Sequence, residues 1–266
     1  MTPPSDRALA LALAALAAEA GRLILEIAAS GAAPRLKADG SPVTDADERA
    51  EALILEGLAR LLPGVPVLAE EQAARGALPA RHDELVLVDP LDGTKEFLAG
   101  RPEFTVNIAV VASGAPVAGA VDAPALGRVW AGAASAGALA ADYAPGAVPD
   151  VAAFSPIATV PPARPPRAVV SHSHLDPDSA AFLDRLGVTE RRRVGSSVKF
   201  TLIAQGDADV YPRFGPVMEW DIAAGHAVLA AAGGAVLTPD GGLVSYGRSA
   251  AGYRCRPFIA WGRAPA

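Results

Sequence analysis

The stretch Leu87-Val-Asp-Pro-Leu-Asp-Gly-Thr-Lys-Glu-Phe97 sets two aspartates, Asp89 and Asp92, on either side of Pro90 and Leu91, directly behind the run Glu-Leu-Val-Leu-Val at 84–88. The run has the composition of a buried strand. Proline disfavours helix and continuation at the residue before it, so the strand is expected to end at Asp89. Gly93 follows as a turn residue, and the amides of Gly93 and Thr94 stand near a helix start. Free amides and a helix dipole suit a phosphate, and Asp89 and Asp92 would hold cations beside the same anion. Asp-Gly alone is an ordinary turn, so the rest of the chain decides between turn and metal site.

On the N-terminal side, Leu9, Leu13, Leu16, Ala20, Leu23 and Ile27 step by three or four, as one helix face requires. A helix is expected over 6–30, with Ser5 as its N-cap. The Ala/Leu run 8–18 behind Arg7 faintly resembles a signal-peptide core, but Asp6 sits in the would-be basic region and the periodicity continues past the run. A mature amphipathic helix is the expectation, and no run reaches the roughly 18 to 20 apolar residues of a membrane span. Residues 36–44 read as a strand or hairpin. A second helix is expected over 45–61, with Thr44 as N-cap and Asp47 in the capping-box position. Residues 63–71 read as turn, short strand and two carboxylates, Glu70 and Glu71. Beyond the motif, residues 103–121 form two strands, with Phe104, Val106, Ile108 and Val110 on one face, and 127–134 a third. This half is α+β, helices followed by a mostly antiparallel sheet.

Seven prolines fall between Pro145 and Arg167, which marks an extended connection between subdomains 1–150 and 151–266. After it, residues 167–174 read as a strand. A helix follows with Asp176 as cap, Pro177 at its first position and Gly187 at its end. The next helix has Ser196 or Ser197 as cap. A strand at 208–214, a helix beginning near Asp221 and two terminal strands complete an α/β half.

The chain has 266 residues, 51% of them hydrophobic, enough for a packed core. A net charge of -6 disfavours nucleic-acid partners, yet allows a small phosphorylated ligand where bound cations invert the local field. Cys255 is the only cysteine, so neither an intrachain disulfide nor a thiolate cluster forms, as suits a reducing compartment. Five acids, Asp47, Glu70, Asp89, Asp92 and Asp221, lie at element boundaries, where side chains reach a cleft. Magnesium takes oxygen ligands, and paired metals clamp the oxygens of a phosphoryl transfer. Taken singly, Asp47 and Asp221 also read as helix caps. His172 and His174 lack a third zinc ligand, Arg191–Arg193 reads as a solvated face, and no Ser or Cys nucleophile with triad partners is evident.

Residues 89–97 and Trp220–Gly234 resemble the two signatures of the inositol monophosphatase superfamily of magnesium-dependent, lithium-sensitive phosphatases. Val67–Glu71 and Ser41–Asp47 resemble its other metal-site segments, in the family's order. Where inositol monophosphatases carry Thr-Asn-Phe, this chain has Thr94-Lys95-Glu96-Phe97. That form, with residues 196–216, resembles the CysQ-type 3'(2'),5'-bisphosphate nucleotidase branch. The resemblance implies a layered αβαβα sugar-phosphatase fold with the active site between its halves. It implies Glu70, Asp89, Asp92, Asp221 and the Leu91 carbonyl as ligands of two or three Mg2+ ions, with Glu71 facing solvent or supporting the site. Asp47 and Thr94, with Glu70, would position and activate water. Gly93, Thr94, His174, Ser196, Lys199, Arg213 and Asp221 would meet the substrate. The implied reaction removes the 3'-phosphate of adenosine 3',5'-bisphosphate, giving AMP in sulfur-assimilation recycling, with the sulfated analogue as a further substrate. Inositol phosphate or fructose 1,6-bisphosphate are the rival substrates, and a non-catalytic nucleotide or metal sensor the rival of another class. Asp122 stands where relatives commonly carry an aromatic. A homodimer is allowed, and the expected location is the cytoplasm, with peripheral association at the inner face of the cell membrane left open.

Overall fold

The computed structural model describes residues 6–31, 34–37, 40–79, 82–172 and 175–264. Ser5 and His174, expected as a cap and a substrate residue, lie outside the described residues. Two helices come where the periodicity places them. α1 (Asp6–Ser30) buries Leu13, Leu16, Ala20 and Ile27. After the hairpin β1 (Arg35–Leu36) and β2 (Pro42–Val43), α2 (Asp45–Leu61) opens on a full capping box. The Thr44 amide donates to Asp47 Oδ2 at 2.7 Å, satisfying a donor that a helix start leaves orphaned.

Next come β3 (Val67–Ala69), α3 (Glu70–Ala74), β4 (Glu84–Asp92), α4 (Thr94–Leu98), β5 (Thr105–Ala112), β6 (Ala115–Ala123), β7 (Arg128–Ala133), β8 (Gly137–Asp142) and β9 (Ser155–Ile157). The strands form one sheet in the order β3-β4-β5-β6-β7-β8-β9, parallel at β3/β4 and antiparallel elsewhere. Its membership reaches past residue 150 to Ile157. Strand alternation sends Val86, Val88, Val106, Ile108 and Val110 to the α1/α2 side, and Leu85, Leu87, Ala109 and Val111 to the opposite face. Both faces are covered, so these strands are apolar throughout rather than alternating.

β4 does not stop at Asp89. It runs through Pro90 to Asp92, with a register irregularity against β5 between Asp89 and Asp92. Pairing with β3 ends at Val88, so the missing Pro90 donor falls beyond that ladder. The irregularity re-aims the strand end, as bulges beside active sites do.

The second half adds β10 (Ala168–Ser171), α5 (Pro177–Arg185), β11 (Arg191–Val194), α6 (Val198–Ala204), β12 (Val210–Arg213), α7 (Glu219–Ala231), β13 (Ala235–Leu237) and β14 (Phe258–Trp261). Its sheet has the order β11-β10-β12-β14-β13 and mixes parallel and antiparallel pairs. α6 and α7 lie between the sheets and α5 covers the outer face, completing five layers, αβαβα. Arg191–Arg193 forms an edge strand with Arg192 and Arg193 exposed, charges that discourage edge-to-edge pairing. α7 approaches the first sheet closely at Gly132, where a Cβ would come within 2.8 Å of the Val228 Cα.

α1 is long and apolar enough to cross a membrane by length and hydropathy, yet half of its most apolar window is buried, at 50%. Here it is a core helix packed on α2, β6 and β7. Asp122, in β6, is fully buried against α1 at Gly21. Its Oδ1 accepts from the Tyr143 hydroxyl, and Oδ2 has no hydrogen-bond partner among the described residues. Burial pushes this carboxyl up to about 7, against the lowering effect of Tyr143. The unfolded value is about 3.9. The neutral acid's advantage is therefore complete below about pH 4 and lost as pH rises through 7. Asp122→Asn is expected to melt higher than wild type by a margin that widens between pH 5 and pH 8, by at most about 3 kcal/mol. Calorimetry across that range checks it, and a pH-independent margin would contradict it.

Candidate active site

The two halves enclose a cleft of about 370 Å³, lined by the β4–α4 corner, Glu70, Tyr211, Arg213 and the start of α7. Glu70 opens α3, Asp89 lies in β4 just before its register irregularity, and Asp221 is the third residue of α7. One carboxylate oxygen from each lies within 4.8 Å of the others. Local backbone holds them: Leu91 N–H donates to Asp89 Oδ1 at 3.1 Å, and Met218 N–H to Asp221 Oδ2 at 2.9 Å. α7 starts at Glu219 rather than at Asp221, so Asp221 caps from inside the first turn.

Burial drives the carboxyls of Asp89 and Asp221 well above the usual range, and mutual repulsion with Glu70 and Asp92 adds to it. Asp92 is pushed up to about 6, chiefly by burial and against the pull of Lys199. Lys37 answers part of this charge, bonding Glu70 Oε1 at 2.5 Å and pairing with Glu71 Oε1 at 2.6 Å. Glu71 is thus not turned to solvent: it is 3% exposed, its carboxyl raised to about 7 by burial, and its N–H bonds Glu51. An all-oxygen donor set, crowded and short of positive charge, fits hard divalent cations.

Thr94 and Asp47 meet at the inner edge of this set. Thr94 Oγ1 lies 3.1 Å from Asp47 Oδ1 and 3.3 Å from the Leu91 carbonyl. The Thr44 amide and hydroxyl occupy Asp47 Oδ2, both at 2.7 Å. Asp47 is therefore a helix cap through one oxygen and a partner of Thr94 through the other. Its burial raises the carboxyl, against those hydrogen bonds.

The C-terminal half clamps the motif. Gly93 has φ +92°, and a Cβ there would lie 2.3 Å from Ser196 Oγ. That hydroxyl donates to the Asp92 carbonyl at 2.7 Å. Neither Ser196 nor Ser197 caps α6 with its side chain; both turn toward β4 and β5. Lys199 is buried in the cleft wall, over the Tyr211 ring at 5.1 Å, and donates to the Ser196 carbonyl. Burial lowers its amine to about 8, while Asp92 opposes the shift. Arg213 lines the cleft and donates to the Pro216 carbonyl at 2.8 Å.

Sequence reasoning passed over Ser171, Tyr211 and Arg254, which also line the cleft. Arg254 arrives through an isolated bridge with Met218, a tertiary pairing that leaves no local pattern. Lys37, Thr105, Asn107 and Ser197 were likewise not singled out as site residues.

The chain matches the inositol monophosphatase family over residues 6–258. It is 42% identical over 242 residues to 3'(2'),5'-bisphosphate nucleotidase CysQ of Salmonella typhimurium, covering 87% of this chain and 91% of that one. The crystal structure of CysQ from Bacteroides thetaiotaomicron superposes with a TM-score of 0.79 at 34% identity, covering 96% and 97% of the two chains. Inositol monophosphatase from Anabaena superposes at 0.73 with 25% identity, covering 97% and 91%.

Because Asp89 is pushed up by burial and like charges, its neutral isostere relieves repulsion that a cation would otherwise relieve. Asp89→Asn is expected to melt higher than wild type in chelator and to lose most of the rise that divalent cations produce. For wild type that rise is worth about 2.7 kcal/mol at a hundredfold excess over Kd. Thermal melts with EDTA and with Mg2+ check both halves of the expectation.

Proposed function

The chain belongs to the inositol monophosphatase family, and from that membership and the site's geometry we propose that it is a magnesium-dependent 3'(2'),5'-bisphosphate nucleotidase. The observation that carries the reading is the Thr94–Asp47 pair set against the Glu70–Asp89–Asp221 cluster. Glu70, Asp89, Asp92, Asp221 and the Leu91 carbonyl would hold two or three Mg2+ ions. Bound Mg2+ supplies neutralising charge for the phosphoryl group and lowers the pKa of water.

The chain's own residues do the rest. Thr94 Oγ1 takes a hydrogen bond from the attacking water and passes its own proton toward Asp47 Oδ1. A carboxyl whose pKa is raised accepts that proton more readily than an ordinary aspartate. The amides of Gly93 and Thr94, at the turn into α4, present donors to the phosphoryl oxygens, where charge develops during displacement. No covalent phosphoenzyme is required.

The adenosine 3',5'-bisphosphate assignment is supported by the relatives' names and by the Lys95-Glu96 form of the motif. Its removable group is the 3'-phosphate, with AMP as product, and the sulfated analogue is a further substrate. Ser196, Lys199 and Arg213 are the groups proposed to meet the remainder of the nucleotide, with guanidinium suited to phosphate. A reducing, cytoplasmic location suits a chain with one cysteine.

With Mg2+, turnover of adenosine 3',5'-bisphosphate is expected to exceed that of inositol monophosphate and fructose 1,6-bisphosphate in a parallel phosphate-release assay. A preference for either sugar phosphate would redirect the assignment within the family. Thr94→Ala is expected to lower kcat by roughly 10²- to 10⁴-fold while KM changes little. Steady-state kinetics on the two proteins separates those terms.

A further inference from the structure

Behind Asp92 lies a polar group with no place in the chemistry above. Thr105 and Asn107, on β5, are the strand partners of Asp92 and Asp89. Both are 0% exposed, and Ser197, reaching them from the other half, is 1% exposed. Thr105 and Asn107 occupy the strand face that continues with the core residues Ala109 and Val111. Buried polar side chains there are costly unless each finds a partner.

Counting protons gives the network a direction. Ser197 has one hydroxyl hydrogen and three neighbouring oxygens: Asn107 Oδ1 at 2.6 Å, Thr105 Oγ1 at 3.0 Å and Asp92 Oδ2 at 3.4 Å. The shortest contact, to the amide oxygen, takes the hydrogen. Thr105 then donates to Ser197 rather than to Asp92 Oδ2, which is farther at 3.5 Å. With its oxygen held by Ser197, Asn107 turns its Nδ2 toward Asp92 Oδ2, at 3.4 Å. The reverse amide orientation would set two acceptors face to face. Among the described residues, the side-chain contacts of this network all reach Asp92 through Oδ2.

We propose that Thr105, Ser197 and Asn107 form a directed relay that positions the Asp92 carboxylate for metal, so that the C-terminal half, besides supplying Asp221, tunes metal affinity through an N-terminal ligand. The proposal rests on the metal-dependent reading above. Ser197 and Asn107 are positioning residues that act through Asp92. The same loop supplies Ser196, whose hydroxyl holds the Asp92 carbonyl, and it leads into the helix of Lys199. Seating of that loop and binding of metal are thereby coupled.

The test is Mn2+ binding to the full chain by titration calorimetry or electron paramagnetic resonance, with thermal melts in EDTA and in excess Mn2+. Ser197→Ala and Thr105→Val each remove one hydroxyl with little change of volume. Ser197→Ala is expected to weaken Mn2+ by roughly 10- to 100-fold, the range seen when groups behind metal ligands are removed. Its metal-induced rise in melting temperature should shrink, with a smaller change in EDTA. Thr105→Val should weaken Mn2+ less, and the double variant should match Ser197→Ala, because the hydroxyls act in series. Wild-type affinity in Ser197→Ala, full additivity in the double variant, or equal loss of melting temperature with and without metal would each overturn the relay. Wild type that fails to bind Mn2+ at all would overturn the metal reading itself.

Discussion

Like charges in a buried space are the constraint around which this molecule is arranged. Glu70, Asp89 and Asp221 come from a helix start, a strand and a second helix, and their oxygens converge within 4.8 Å. Desolvation and repulsion act in the same direction on each buried member. The protein supplies Lys37 on one side and Lys199 on the other. Lys37 is already shared between Glu70 and Glu71, and Lys199 is spent partly on the Ser196 carbonyl. The remaining imbalance is what a divalent cation relieves, so folding strain and metal affinity are two views of one arrangement.

Holding such groups together takes rigid elements from both halves. α7 is wedged between two sheets, and the missing side chain at Gly132 lets it seat against β7. Its N-terminus then faces the end of β4, where the irregularity at Pro90–Leu91 points Asp89, the Leu91 carbonyl and the Gly93–Thr94 turn into one cleft. Economy is visible at Asp47: one oxygen closes the capping box of α2 and the other receives Thr94. The capping role of that aspartate and the role proposed for it toward Thr94 are compatible, because a carboxylate has two oxygens facing different ways.

Much of the chain was legible in advance where the determinant was local. The boundaries of α1 and α2 follow from apolar spacing and from Thr44 with Asp47. The face shared by Phe104, Val106, Ile108 and Val110 follows from strand alternation. Errors fell where tertiary contact overrode local rules. Pro90 was expected to end β4, but it sits past the β3 ladder and costs no pairing there. Ser197 does hold the N-cap position of α6, as serine favours, but its hydroxyl makes no capping bond; across the cleft Asn107 takes it, and the Asp92 carbonyl takes that of Ser196. Of the two places open to Glu71, solvent or support of the site, the pairing with Lys37 from a distant hairpin selects the second.

The sequence by itself determined the element types, the acidic positions at their ends and the family pattern that connects them. Those properties depend on neighbours within a turn or two, or on motif order along the chain. Only the tertiary structure decided which acids share a space, which oxygen of each is committed, and which residues stand behind them. Convergence of Glu70, Asp89 and Asp221, the split duty of Asp47, and the Thr105–Ser197–Asn107 network all join segments far apart in the chain. Their geometry is set by how two sheets pack on the helices between them, and packing of that kind has no period along the sequence.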